Sequence, residues 1–106
     1  MSAPVIAEIT HKGQPSGNWM FFCPGCKCGH SIRTGPSTGP RWSFNGDLIA
    51  PTIEPSVLVT GSVTNAETGE DVHDMRCHSF VREGQIQFLS DCTHALAGQT
   101  VPLQPL

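Results

Sequence analysis

Met75-Arg76-Cys77-His78-Ser79-Phe80-Val81-Arg82-Glu83-Gly84-Gln85-Ile86-Gln87-Phe88-Leu89-Ser90-Asp91-Cys92 is the stretch that decides the fold class. Apolar and polar residues alternate on both sides of Glu83-Gly84, the period of half-buried strands rather than of a helix. The pattern predicts two strands, Met75 to Val81 and Gln85 to Ser90, joined by a two-residue turn. Arg82 then faces Gln85, Val81 faces Ile86, Ser79 faces Phe88 and Cys77 faces Ser90. Cross-strand partners share a face, so Met75, Cys77, Val81, Ile86, Phe88 and Cys92 project to one side. His78, Phe80, Leu89 and Asp91 project to the other. Cys77 and Cys92 become diagonal neighbours at the open end of the hairpin, unless a bulge shifts the register and exchanges the faces.

Outward from this hairpin the same short rhythm continues, and hardly any window carries an apolar i, i+3, i+4, i+7 stripe of helical length. Val5 to Ile9 is a first strand, ended by His11-Lys12-Gly13. Trp19 to Phe22 is a second, running into Cys23. Ser31 to Pro40, with two prolines and two glycines, is loop. Trp42-Ser43-Phe44 alternates and meets Asn45-Gly46, a type I′ hairpin signal, with the return strand at Asp47 to Ile49. The segment from Ala50 to Ser56 holds Pro51 and Pro55, neither able to donate to a ladder, and is excluded from a central strand. Val57 to Val63 is a strand and Thr64 to Glu70 a polar loop. Ala95 to Leu106 is a short turn and an extended tail, since Pro102 and Pro105 forbid a long helix. The expected fold is one all-β domain over residues 1–106, made of short antiparallel hairpins in two small sheets or a partly open barrel.

The 106 residues suit a single domain, but nine prolines, eleven glycines and few aliphatic runs leave a small core. A metal that ties distant segments would therefore matter to stability. The net charge of −3 and the lack of a basic run argue against a nucleic-acid surface. No stretch approaches the roughly 20 apolar residues of a membrane span. Met1-Ser2-Ala3-Pro4-Val5 lacks a secretory pattern, so the expected location is cytoplasmic, where thiols stay reduced and Cys/His clusters read as metal ligands.

All five cysteines and three of the five histidines fall in three tight groups: Cys23-Pro24-Gly25-Cys26-Lys27-Cys28-Gly29-His30, Cys77-His78, and Cys92-Thr93-His94. The first is a Cys-x-x-Cys on a Pro-Gly turn, the form of a zinc knuckle. Joined to Cys77 and Cys92 at the hairpin end, it predicts a four-thiolate zinc site of Cys23, Cys26, Cys77 and Cys92. Against this stands the reading that Cys77 and Cys92 are merely small buried residues. His30 is a ligand or a group that orients one. His94 is an alternative to Cys92 as fourth ligand, and His78 points away from Cys77 on a regular strand. Cys28 is an odd thiol, a spare ligand or an oxidisable side chain. His11 and His73 sit in polar segments and read as solvated.

An open zinc position would instead give a hydrolase, with His30, His78, His94 or Asp91 as base or proton shuttle. No metalloprotease or zinc-deaminase motif supports it. Gly35 to Gly39 lacks the phosphate-loop pattern, and Ser56 and Ser79 lie near no nucleophile elbow. Trp42 and Phe44 read as packing groups, or as a partner patch if exposed beside Trp19.

The run from Arg76 to Val81, Gly84 to Leu89, and Asp91-Cys92-Thr93-His94-Ala95-Leu96-Ala97-Gly98-Gln99-Thr100-Val101 resembles the C-terminal signature of a small phage and prophage family. Phe22 to Cys26, His30, Asn45-Gly46-Asp47, Pro51-Thr52 and Pro55-Ser56 are similar to its N-terminal half. The resemblance covers most of the chain. It implies a metal-stapled fold and a loose association with bacterial ubiquitin-like conjugation genes, and no particular chemistry. Cys23, Cys26, His30, Cys77, His78, Cys92 and His94 match family positions, which keeps a second site built from histidines open. Cys28 departs from the pattern and is not assigned as a ligand. The expectation is a zinc-stabilised phage accessory protein that acts by binding a host or phage protein. The alternative is a small zinc-dependent hydrolase, and a redox sensor using Cys28 ranks third.

Overall fold

The computed structural model describes residues 3–35 and 39–106. Its strands are β1 (Ile6–His11), β2 (Gln14–Cys23), β3 (Cys28–Arg33), β4 (Ser43–Phe44), β5 (Ile53–Thr64), β6 (Asp71–Arg82), β7 (Gln85–Phe88) and β8 (Thr100–Pro102). They form two antiparallel sheets, β1-β2-β3 and β4-β5-β6-β7-β8, which do not close into a barrel. No helix among the described residues is long and apolar enough to cross a membrane. The all-β expectation holds, in its two-sheet form.

Two hairpins are set by two-residue turns with positive φ at both positions, as type I′ requires. Lys12 (φ 52°) and Gly13 (φ 78°) join β1 to β2, and Glu83 (φ 50°) and Gly84 (φ 79°) join β6 to β7. The second pins the register read from the sequence: Arg82 opposite Gln85, Val81 opposite Ile86, Ser79 opposite Phe88. Met75, Cys77, Ser79, Val81, Ile86 and Phe88 consequently face inward and are buried. With Ile6, Phe21, Ile32, Ile53 and Val57 they fill the space between the sheets. Each large apolar side chain fully buried there contributes about 1.5–3 kcal/mol.

Three sequence expectations need correcting. Asn45-Gly46 does not turn a tight hairpin. Instead the Asn45 and Asp47 carboxamide and carboxylate oxygens accept main-chain N–H groups of Asp47, Thr52, Ile49 and Ala50. These bonds organise a wider loop, so β4 pairs with Ile53 and Glu54, not with 47–49. The Ala50 and Ile49 amides also hold the Asp47 carboxyl below its usual range. Second, Pro55 lies inside β5 despite its missing donor. The ladder pairs Ile53 with Val81 and then Val57 with Ser79, so Glu54, Pro55 and Ser56 bulge opposite Phe80 and the proline owes no ladder bond there. Third, the C-terminal tail adds β8 to the sheet edge, with Ile86 opposite Val101. Of the expected loop from Ser31 to Pro40, Ser31 to Arg33 belong to β3, and 36–38 lie outside the described residues.

Candidate functional site

Strand alternation divides the chemistry-bearing residues of the larger sheet between its two faces. On β6, Cys77 points inward and His78 outward. In the segment after β7, Cys92 is buried while Asp91 is exposed. Two centres therefore share one backbone, as the placement of Cys77 and Cys92 opposite His78 and Asp91 anticipates.

The inner centre gathers Cys23, Cys26, His30 and Cys77, all buried, with ligand atoms within 4.8 Å of one another. The knuckle closes because Lys27 adopts φ 59° and donates its N–H to the Cys23 carbonyl at 2.9 Å. The Cys26 N–H meets Cys23 Sγ at 3.3 Å. Cys77 brings its sulfur to 3.9 Å from that of Cys23, against about 3.8 Å for two thiolates on a tetrahedral zinc with ~2.3 Å bonds. His30 enters from β3 through Phe21, whose ring stands edge-on at 5.8 Å. Its Nδ1–H can donate to the Gly29 carbonyl at 3.2 Å. That tautomer leaves a lone pair on Nε2, which is buried with no hydrogen-bond partner among the described residues.

The thiol electrostatics point the same way. Hydrogen bonds from Cys26 and then Cys77 pull the Cys23 thiol far below the ordinary range. Cys26 and Cys77, each holding its proton as a donor to Cys23, are pushed up. The cluster can carry one thiolate readily and cannot carry three without a cation. A buried Cys/His cluster able to hold a metal ion is thus built into the fold.

Cys92 and His94 gather with Cys77 in an adjoining group. His94 Nε2 is 3.5 Å from Cys77 Sγ, and its ring lies so close over Gly25 that any Cβ there would overlap it at 2.3 Å. Burial lowers the His94 pKa. The Cys92 sulfur is occupied differently: it receives the His78 N–H at 3.3 Å and reaches the His78 carbonyl at 3.2 Å. Cys28, half-buried, stands opposite Cys23 in the β2–β3 ladder, and burial raises its thiol. His11 and His73 are exposed. Trp19 and Phe44 pack edge to face at 4.9 Å, joining the sheets.

The outer centre was not foreseen. The β5 bulge brings Ser56 beneath His78, with Ser56 Oγ 2.9 Å from His78 Nε2. On the other side of the ring, Nδ1 is 3.4 Å from Asp91 Oδ2. The Arg76 guanidinium approaches the same carboxylate oxygen at 3.8 Å. Trp42 Nε1–H donates to the Ser56 carbonyl at 3.0 Å and fixes the bulge. With Nδ1–H directed at Asp91, Nε2 is free to accept the serine proton. Hydroxyl, imidazole and carboxylate in line form the arrangement that activates a serine nucleophile. A cleft of about 460 Å³ lined by Ser43, Glu54, Pro55, Phe80 and Arg82 opens beside it.

Residues 3–89 match a family described as bacterial ubiquitination-like system serine protease (BubE). The chain belongs to this family. The matched span includes Ser56 and His78, together with Cys23, Cys26, His30 and Cys77. No curated protein and no solved structure gives a match. Membership of BubE overturns the expectation of an accessory protein that acts only by binding; the hydrolase alternative accords better with the family.

Sequence reasoning passed over Ser56 because no local motif marks it. Its partners lie 22 residues away at His78 and a further 13 at Asp91. The outward pairing of His78 with Asp91 was the available signal. Ser79, the other serine considered, faces the core with no hydrogen-bond partner for its hydroxyl among the described residues, for which the packing offers no account.

Proposed function

We propose that this chain is a serine peptidase in which Ser56 is the nucleophile, His78 the general base and Asp91 the group that orients the imidazole. The observation that carries the reading is the 2.9 Å contact of Ser56 Oγ with His78 Nε2, backed by Asp91 on Nδ1. His78 takes the Ser56 proton as Oγ attacks a carbonyl carbon. The same proton passes to the leaving amine as the tetrahedral intermediate collapses and the C–N bond breaks, leaving the acyl group as an ester on Ser56. Water then attacks that ester, His78 again serving as base, and Ser56 is regenerated. The family description supports a polypeptide of a bacterial ubiquitination-like system as the substrate.

The inner cluster fits one zinc, held by Cys23, Cys26, His30 and Cys77. Such an ion supplies a closed structural cross-link and no reactive water. This departs from the alternative drawn from the sequence, a zinc-dependent hydrolase with an open metal position. The test is reaction with a fluorophosphonate, read by intact mass and peptide mapping. One adduct on Ser56, lost in His78→Ala, is expected. Absence of an adduct, or an adduct elsewhere, would remove the assignment.

A further inference from the structure

The main chain of β5 beyond Ser56 is turned toward open space, and the direction can be derived. In an antiparallel ladder, the N–H and C=O of one residue point to the same side, and successive residues alternate. On β6 the His78 carbonyl accepts from Leu89 N–H at 2.9 Å, and its N–H meets Cys92 Sγ, so His78 turns away from β5. Arg76 does the same: its N–H donates to Thr93 Oγ1 at 3.0 Å, and its carbonyl accepts from Thr93 N–H at 2.9 Å. Leu58 is opposite His78 and Thr60 opposite Arg76. Both are therefore in non-hydrogen-bonded pairs, and their own N–H and C=O groups point outward from the sheet.

Leu58 and Thr60 are both exposed. β5's outer neighbour, β4, spans only two residues and pairs at Ile53 and Glu54. No turn, loop or side-chain hydrogen bond among the described residues reaches the main chain of Leu58 or Thr60. Natural edges are blunted with lysine, proline or a covering loop. Here Val57 to Ser62 carry no charge and no proline, and Leu58 is 53% exposed. An exposed edge two residues from a nucleophile, about 7 Å along the strand, suits pairing with another chain.

We infer that an extended segment of the polypeptide substrate adds to this edge, its main chain pairing with Leu58 and Thr60 so that the scissile bond reaches Ser56. The inference rests on the serine-peptidase reading. Backbone pairing at two alternate residues selects for an unstructured, strand-forming segment, and the cleft lined by Phe80 and Arg82 takes the side chain on the far side of Ser56.

The experiment presents the full chain with a library of unstructured decapeptides, read by mass spectrometry, alongside fluorophosphonate labelling of Ser56. The best-cleaved decapeptide is then resynthesised with single N-methyl groups along its length, which leaves the protein untouched. Expected is a loss of about three- to tenfold in kcat/KM, mainly through KM, at alternate peptide positions only, the worth of single net hydrogen bonds. Thr60→Pro removes only an outward N–H, so its fold is expected to survive, with the preference for decapeptides over a single-residue ester lost. Labelling of Ser56 without decapeptide cleavage, or N-methyl effects lacking the alternation, overturns the inference and leaves the peptidase intact. A wild-type dimer that Thr60→Pro dissociates would also overturn it, showing the edge occupied by a second copy. Failure to label Ser56 removes both readings.

Discussion

The inner and outer faces of β6 are built from adjacent residues and obey opposite rules. Cys77 points into a buried cluster where thiols share protons and His30 Nε2 has no hydrogen-bond partner among the described residues. His78, one residue on, stands between Ser56 and Asp91 with 28% of its side chain exposed. A buried Cys/His cluster left without a cation costs stability, because charged or orphaned polar groups cannot be hydrated there. A half-exposed triad costs little to fold and must stay reachable. On the proposed reading, the fold depends on one face and the chemistry on the other, through a common strand. Substitutions on the two faces should therefore part stability from activity.

The largest expected effect separates them completely. Ser56→Ala should lose at least about 10⁴-fold in kcat/KM, as removal of a serine nucleophile does elsewhere. Its melting temperature and metal content should stay those of the parent chain, checked by calorimetry and elemental mass spectrometry. Chelation should instead remove both properties together. Structural zinc in small domains contributes about 10–16 kcal/mol, as much as or more than the whole stability of about 5–15 kcal/mol. Circular dichroism of the stripped chain should show loss of the sheet, recovered with zinc along with Ser56 labelling. A stripped chain that keeps its melting temperature would show the inner cluster to be ordinary packing.

Asp91→Asn comes next. It should lower kcat by about 10²–10⁴-fold by ceasing to hold the Nδ1–H tautomer of His78. The contact is 3.4 Å and the carboxylate is shared with Arg76, so the lower part of that range is expected. The exposed position predicts a change in melting temperature within the scatter of ordinary surface substitutions.

How much of this was legible follows from range of action. The β6–β7 register came from local alternation and a two-residue turn, and it correctly set Cys77 and Cys92 against His78 and Asp91. The knuckle was legible because Cys23 and Cys26 are three residues apart. Ser56 was not, because the prolines around it argue against a strand by their own chemistry. Only the bulge opposite Phe80, a property of the pairing with β6, makes that segment part of β5. The sequence reading joins Cys92 to Cys23, Cys26 and Cys77; in the structure His30 gathers with those three, while Cys92 and His94 adjoin Cys77 and the Cys92 sulfur meets the His78 main chain. The approach of His30 depends on how β3 meets β6 in three dimensions, which no spacing encodes.

The smallest expected effect tests this last point and joins the two faces. Cys92→Ala leaves the proposed Cys23, Cys26, His30 and Cys77 set whole, so zinc should remain at about one per chain, bound through three sulfurs and one nitrogen in X-ray absorption. His30→Ala should lower zinc affinity by contrast. The Cys92 substitution removes a sulfur that clasps the His78 N–H and carbonyl, leaving the N–H without a partner at a cost of about 1–3 kcal/mol. A few-fold fall in kcat with little change in KM should follow, because the base is held less firmly beside Ser56 while the proposed substrate edge at Leu58 and Thr60 is unchanged. If Cys92→Ala strips the metal and His30→Ala does not, the four-thiolate arrangement is right. The thiol face then reaches the base only through Cys77 and the segment carrying Asp91, and His78 needs no sulfur clasp.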